Sequence, residues 1–235
     1  MSRLVVAVLL ALSLRGCVAY EFEHEFWIRV DGSGSVNVTA RPELWAAMKG
    51  VRVPADQDSA RQTVRALFES SGLRVRRVTL THRAGRPYVF VAADFPDVNR
   101  LAGTPAFPDL SVSLRPEGEN LRLDGRWTRP SGLPDVPVDS RDGLMAVRFH
   151  LPSKVYSHHN AFSGVERGNI VGWRETIAEG LAGRPLEVGA VMDRRSILRS
   201  TVGLFAVAIV VALAIMATVL WWVIRKGRKA QAAAP

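Results

Sequence analysis

The chain has 235 residues, 48% of them hydrophobic, with 31 Lys and Arg against 22 Asp and Glu for a formal net charge of +9. That basicity invites a nucleic-acid reading, and the placement of the charges removes it: four cations (Arg225, Lys226, Arg228, Lys229) flank one apolar run and two (Arg3, Arg15) another, so removing those six from nine leaves +3 for 18–200. A single cysteine, Cys17, excludes an intramolecular disulfide, so an exported domain of this chain must stand on its core alone.

The first segment reads as an export signal. Met1-Ser2-Arg3 is a positive start, and 4–14 is an apolar stretch of 11 residues, too short for the roughly 20 that span a bilayer. Leu14-Arg15-Gly16-Cys17 follows, with an aliphatic residue three before the cysteine and a small one directly before it. That spacing makes Cys17 a candidate lipidation site and 1–16 the signal peptide. The competing reading is ordinary cleavage after Ala19, which removes the cysteine altogether.

Residues 20–30 alternate, with Tyr20, Phe22, Phe26, Ile28 and Val30 on one face and Glu21, Glu23, Glu25 and Arg29 on the other. Period two predicts a half-buried strand. Asp31-Gly32-Ser33-Gly34 turns it into a second strand carrying Val36, Val38 and Ala40. A short helix is expected over 42–49, with Pro42 in its first turn. A longer one follows, capped by Asp58 or Ser59, with Val64, Leu67, Phe68 and Leu73 as its apolar stripe.

Two hairpins are predicted next, 73–82 with 88–93 and 110–114 with 121–127, and a helical turn within 95–102. The Pro-, Asp- and Ser-rich stretch 125–143 reads as a long loop. Strands are expected over 144–151, 169–173 and 186–192, with 177–181 helical. Hairpins with a few segregated helices indicate an α+β domain on a largely antiparallel sheet.

Candidate sites are few. His158-His159-Asn160, with His150 upstream, is the best metal candidate. Neighbours on a strand point to opposite faces, however, and no Cys or H-E-x-x-H spacing supports a site. Exposed loop histidines and no metal are expected. The run from Gly164 to Trp173 turns into a strand and lacks the Gly-Lys-Ser/Thr ending of a phosphate loop. Asn37-Val38-Thr39 is a glycosylation sequon, relevant in a eukaryotic secretory pathway. No G-x-S-x-G or triad pattern is present, so no catalytic residues, no cofactor and no enzymatic activity are expected. Phe22, Phe26, Trp27, Tyr88, Phe90 and Trp127 lie on expected strands. They either fill an ordinary core or line an apolar cavity for a lipid tail, and the sequence leaves both open.

The last apolar run, 201–224, holds 24 residues without a charge, about 36 Å of helix against a hydrocarbon core of about 30 Å. Trp221 and Trp222 suit the headgroup level, and the four cations after them mark the cytoplasmic end. The expected topology is therefore an extracytoplasmic α+β domain over 17–199, a transmembrane helix over 200–224 and a basic cytoplasmic tail over 225–235.

The Leu14-Arg15-Gly16-Cys17 start, the acidic-aromatic first strand and the turn Asp31-Gly32-Ser33-Gly34-Ser35-Val36 resemble the LppM-type bacterial lipoproteins. So do Phe149-His150-Leu151-Pro152-Ser153, Asn160, and Gly168 to Trp173, followed by one membrane helix. The resemblance implies an envelope protein with an α+β external domain that binds lipid or glycolipid, and it implies no catalytic residues. Two functional expectations follow. One is a lipid- or glycolipid-binding protein of envelope transport or assembly; the other is an accessory or scaffold subunit bound to a membrane-protein partner. Neither involves nucleic acid.

Overall fold

The computed structural model describes residues 20–138, 143–195 and 197–232, and the side chains of 197–200, 223 and 226–232 are outside the description. Cys17 and both cleavage points of the expected signal lie outside the described residues.

The first strand forms where the alternation places it. Strand β1 (Phe22–Ile28) buries every second residue and pairs antiparallel with β2 (Gly34–Ala40). One inward position differs from expectation: His24, left off the apolar face, is fully buried between Phe22 and Phe26. Val30, expected inward, lies past the strand end and is 37% exposed. It sits in a turn where the Asp31 carboxylate accepts from the backbone N–H and hydroxyl of Ser33. Gly34 is required here, because a Cβ would lie 2.0 Å from the carbonyl oxygen of Trp27 and stop the hairpin closing.

The expected α+β class holds. It is built as two sheets rather than one. Helices α1 (Pro42–Lys49) and α2 (Gln57–Ser70) precede the long hairpin β3 (Arg74–Arg83) and β4 (Arg86–Phe95). A 3-10 turn (Val98–Arg100) leads to the hairpin β5 (Leu110–Glu117) and β6 (Asn120–Trp127). Strands β7 (Leu144–His150), β8 (Val155–His158), β9 (Val165–Glu166) and β10 (Ile170–Thr176) follow, then helix α3 (Ile177–Leu181), strand β11 (Leu186–Asp193) and helix α4 (Ile197–Ala232). The larger sheet runs β3-β4-β2-β1-β7-β10-β9, and the smaller runs β5-β6-β11-β8. All pairings are antiparallel except β1 with β7, which aligns Phe26 with Phe149. The short β8 and β9 carry too few residues to show a period, and only their backbone partners reveal them.

Two further expectations are corrected. The cap of α2 is Asp56, whose carboxylate accepts from Ser59 N at 2.9 Å, rather than Asp58 or Ser59. Strand β6 runs to Trp127, so the loop begins after it and not at Gly125. The apolar stripe of α2 holds at Val64 and Phe68, which Ala60 joins; Leu67 is half-buried, and Leu73 is buried beyond the end of the helix.

The core is filled with rings. Phe26 stacks on Phe149 at 5.0 Å, Phe22 meets Trp127 edge-on at 4.9 Å, and Phe68 meets Phe107 at 5.7 Å. These join residues of both sheets and of α1 and α2 into one cluster. Each such burial is worth about 1.5–3 kcal/mol. Of the strand aromatics, Phe22, Phe26 and Trp127 belong to this core. Trp27 and Phe90 lie half-buried on the opposite face of the large sheet, under His150 and Arg77.

Helix α4 is different in kind. Its 36 residues reach about 54 Å, and the 22 from Thr201 to Trp222 form a span long and apolar enough to cross a membrane. None of that span is buried against the rest of the chain, which sets it apart from the core helix of a soluble domain.

Candidate functional site

The small sheet ends where the apolar helix begins. Strand β11 stops at Asp193 and α4 starts at Ile197, so three residues separate sheet from helix. Register then decides what else lies at that end. Asp193 is opposite Asn120, which brings the β5–β6 turn alongside, and Asp193 N–H donates to the carbonyl of Lys154. Gly118 makes that turn tight, with φ at +62°.

These pieces enclose an open cleft of about 450 Å³ lined by Gly118, Glu119, Asn120, Tyr156, Asp193, Arg194 and Arg195. Asp193 is its fixed point. Its carboxylate accepts from Arg195 N at 2.7 Å and from the Tyr156 hydroxyl at 2.9 Å. The backbone bond first, then the tyrosine, hold the Asp193 carboxyl below the usual carboxylate range, and the same bond pushes the Tyr156 hydroxyl up. At neutral pH the cleft therefore carries the ionised Asp193 carboxylate, a protonated phenol and two exposed guanidinium groups, with the exposed Glu119 side chain on the same rim. Arg pairs with phosphate bidentately, and an exposed Tyr has an apolar body and a polar tip suited to an interface.

A second cleft, of about 430 Å³, opens on the outer face of the small sheet over Gly189. Asp124 is opposite Gly189 on β6, and His159 donates its N–H to the Gly189 carbonyl, so the glycine leaves a notch between them. Arg115 and Arg122 already engage the Asp124 carboxylate at 2.8 and 3.0 Å. The histidines weighed as metal candidates each have other contacts. His158 Nδ1 accepts from Ala161 N–H, His159 Nε2 faces the Asn160 amide, and His150 Nε2 lies 2.8 Å from Glu25. Among the described residues no three His, Cys, Asp or Glu side chains converge as a metal site. Both clefts are open and polar-rimmed, whereas the buried apolar side chains of the two sheets form one packed cluster.

A buried polar cluster was not visible in the sequence. Lys49, at the end of α1, reaches inward to Asp109 at 2.6 Å and to the Ala106 carbonyl at 2.8 Å, with both charged side chains fully buried. The other oxygen of Asp109 accepts from Trp127 Nε1 at 2.8 Å. Burial pushes the Lys49 amine down, opposed by its carboxylate partner. Lys49 reads in sequence as an ordinary basic last turn, and the one available hint was His24 breaking an apolar face. Charge is also more segregated than the sequence total suggests. The β3–β4 hairpin carries Arg74, Arg76, Arg77, Arg83 and Arg86, and no acidic residue occurs before Asp94.

No family model and no curated protein matches the chain. Among solved structures it is similar to the NMR structure of the folded domain of LppM from Mycobacterium tuberculosis, at 18% identity and a TM-score of 0.42, covering 75% of this chain and 92% of that one. A likeness of that degree assigns no role to any residue.

Proposed function

We propose that this chain is a single-pass membrane protein whose extracytoplasmic domain binds the headgroup of a lipid or glycolipid in envelope transport or assembly, without catalysis. Its C-terminus is cytoplasmic in this reading, after the basic flank of the helix. The observation behind the proposal is the three-residue link between Asp193 and α4; with the apolar span of α4 in a bilayer, the Tyr156–Asp193–Arg195 cleft would lie close to the headgroups. The filled core moves the site outward: an acyl tail sheathed inside the domain has no support from the packing, whereas a polar headgroup against Arg194, Arg195 and Tyr156 does.

Native mass spectrometry of the full chain released from nanodiscs containing phosphatidylglycerol in phosphatidylcholine tests this. Retained phosphatidylglycerol adducts are expected, and Arg194→Ser with Arg195→Ser should remove most of them. Equal retention by that variant, or no adducts at all, overturns the cleft as a headgroup site.

A second reading, an accessory subunit of an envelope membrane complex, is favoured by the basic β3–β4 hairpin. Its tip, Arg83 to Arg86, lies at the Thr176 end of the large sheet, away from the Ile170 end that adjoins β8. A membrane-protein partner with an acidic surface fits it. Affinity isolation of the full chain recovering one stoichiometric partner, lost on Arg76→Glu with Arg83→Glu, supports this reading; isolation of the chain alone counts against it.

A further inference from the structure

We propose that His24 is an acid-sensitive pin in the joint between the two sheets, holding them together while neutral and loosening them when protonated. The joint lies apart from the Asp193 cleft and works whatever that cleft binds.

The joint is assembled from four places in the chain. His24 of β1 is fully buried, its ring 4.5 Å from Trp127 of β6 in an edge-on arrangement, 4.9 Å from Phe22 and 5.8 Å from Phe107. Neither ring nitrogen has a hydrogen-bond partner among the described residues. Among the described residues two charged groups face this space, Lys49 from the end of α1 and Asp109 from the segment before β5. The other walls, Phe22 and Phe26 of β1, Phe107 and Trp127, do not titrate in this range. Asp109 is already committed on both oxygens, one to the Lys49 ammonium and one to the Trp127 indole N–H. An imidazolium at His24 would therefore sit near an ammonium, shut off from bulk water and with no uncommitted carboxylate beside it among the described residues.

The physical consequence has a definite sign. Burial first, and the Lys49 charge second, hold His24 well below the usual histidine range in the closed fold. Once exposed, the same imidazole titrates near its ordinary value of about 6.5. Below about pH 6.5 the open form binds one proton more than the closed form, so the opening equilibrium rises about tenfold for each pH unit. Stability from this group is complete above that value and is lost as pH falls. The strands released are those of the small sheet, because Trp127 is the β6 residue that meets β1 and Asp109 together. Strand β11 pairs with β6 and continues into the membrane helix.

Hydrogen exchange of the β6 and β11 amides in the full chain, held in nanodiscs at pH 7, 6 and 5 and corrected for intrinsic rates, reads this opening directly. Protection in the natural sequence is expected to fall about tenfold per unit below about pH 6.5. His24→Leu and His24→Gln should both remove that fall. The two replacements cannot titrate and fill the site differently, so one reports if the other misfolds. The exposed histidines remain in both variants, so their contribution cancels. Glu175 also remains in both variants, so the difference from the natural sequence isolates His24; the same pH dependence in the natural sequence and in a folded variant overturns the proposal.

Discussion

Two clusters in this molecule use the same three kinds of group and stand in opposite surroundings. In the core, Lys49, Asp109 and the Trp127 indole meet with both charged side chains fully buried. At the end of the small sheet, Arg195, Asp193 and the Tyr156 hydroxyl meet in water, joined through the Arg195 backbone and the Tyr156 oxygen. In each a carboxylate is the hub and an aromatic donor supplies one bond. What separates them is solvation. Dry, each group depends on the others, and removal of one strands the rest. Wet, water replaces any missing partner, and the cations stay available to something from outside.

The largest effect expected from this contrast is on the buried hub. Asp109→Ala leaves a buried ammonium without its counter-charge and an indole N–H without an acceptor. Breaking such a pair from one side destabilises by about 3–5 kcal/mol. Lys49→Met combined with Asp109→Leu removes both charges and should be milder than Asp109→Ala alone, as denaturant unfolding of the full chain in detergent would show. A double variant worse than the single would mean that the pair itself, and not the stranded charge, dominates.

A smaller effect comes from Glu175, at the end of β10 beside α3. One of its carboxyl oxygens is buried without a hydrogen-bond partner, and Glu179 is nearby. Burial first, and Glu179 second, push its carboxyl up to about 7. Its folded pKa is raised, so its contribution is present at low pH and is lost as pH rises from the ordinary carboxyl value through about 7. That is opposite in direction to His24. Glu175→Gln should raise the melting temperature relative to the natural sequence at pH 8 and leave it unchanged near pH 4.5. A gain equal at both values would remove ionisation as the cause.

The sequence made the framework legible where periodicity and turn chemistry agree. The β1–β2 and β3–β4 hairpins, the core of the stripe on α2 and the apolar helix were all readable from the residues. The two-sheet division was not, because pairing of β1 with β7 joins segments over a hundred positions apart and leaves no local trace. The buried cluster was illegible for a related reason. Lys49 and Asp109 look like surface residues until tertiary packing closes over them, and a histidine on an apolar strand face is an exception to a pattern. The long apolar helix was legible, while the cleft at the end of the small sheet depends on register: Asp193 opposite Asn120 is a fact of pairing. Cys17, the sharpest motif in the sequence, lies outside the described residues.

The smallest expected effect is the one that tests the contrast most directly. Tyr156→Phe removes the hydroxyl that donates to Asp193, yet Tyr156 is 55% exposed and water can take the hydroxyl's place on the carboxylate. The Arg195 backbone N–H still holds the other oxygen. Stability should therefore change by no more than about 0.5 kcal/mol, as for most surface substitutions. Lipid retention is a separate matter, because a phenylalanine ring keeps the apolar body and loses the polar tip; a partial reduction in phosphatidylglycerol adducts is expected. A stability loss above about 1 kcal/mol would place Tyr156 with Trp127 as a structural donor. The two clusters would then differ in position and not in kind, and the cleft would lose its claim to be free for a ligand.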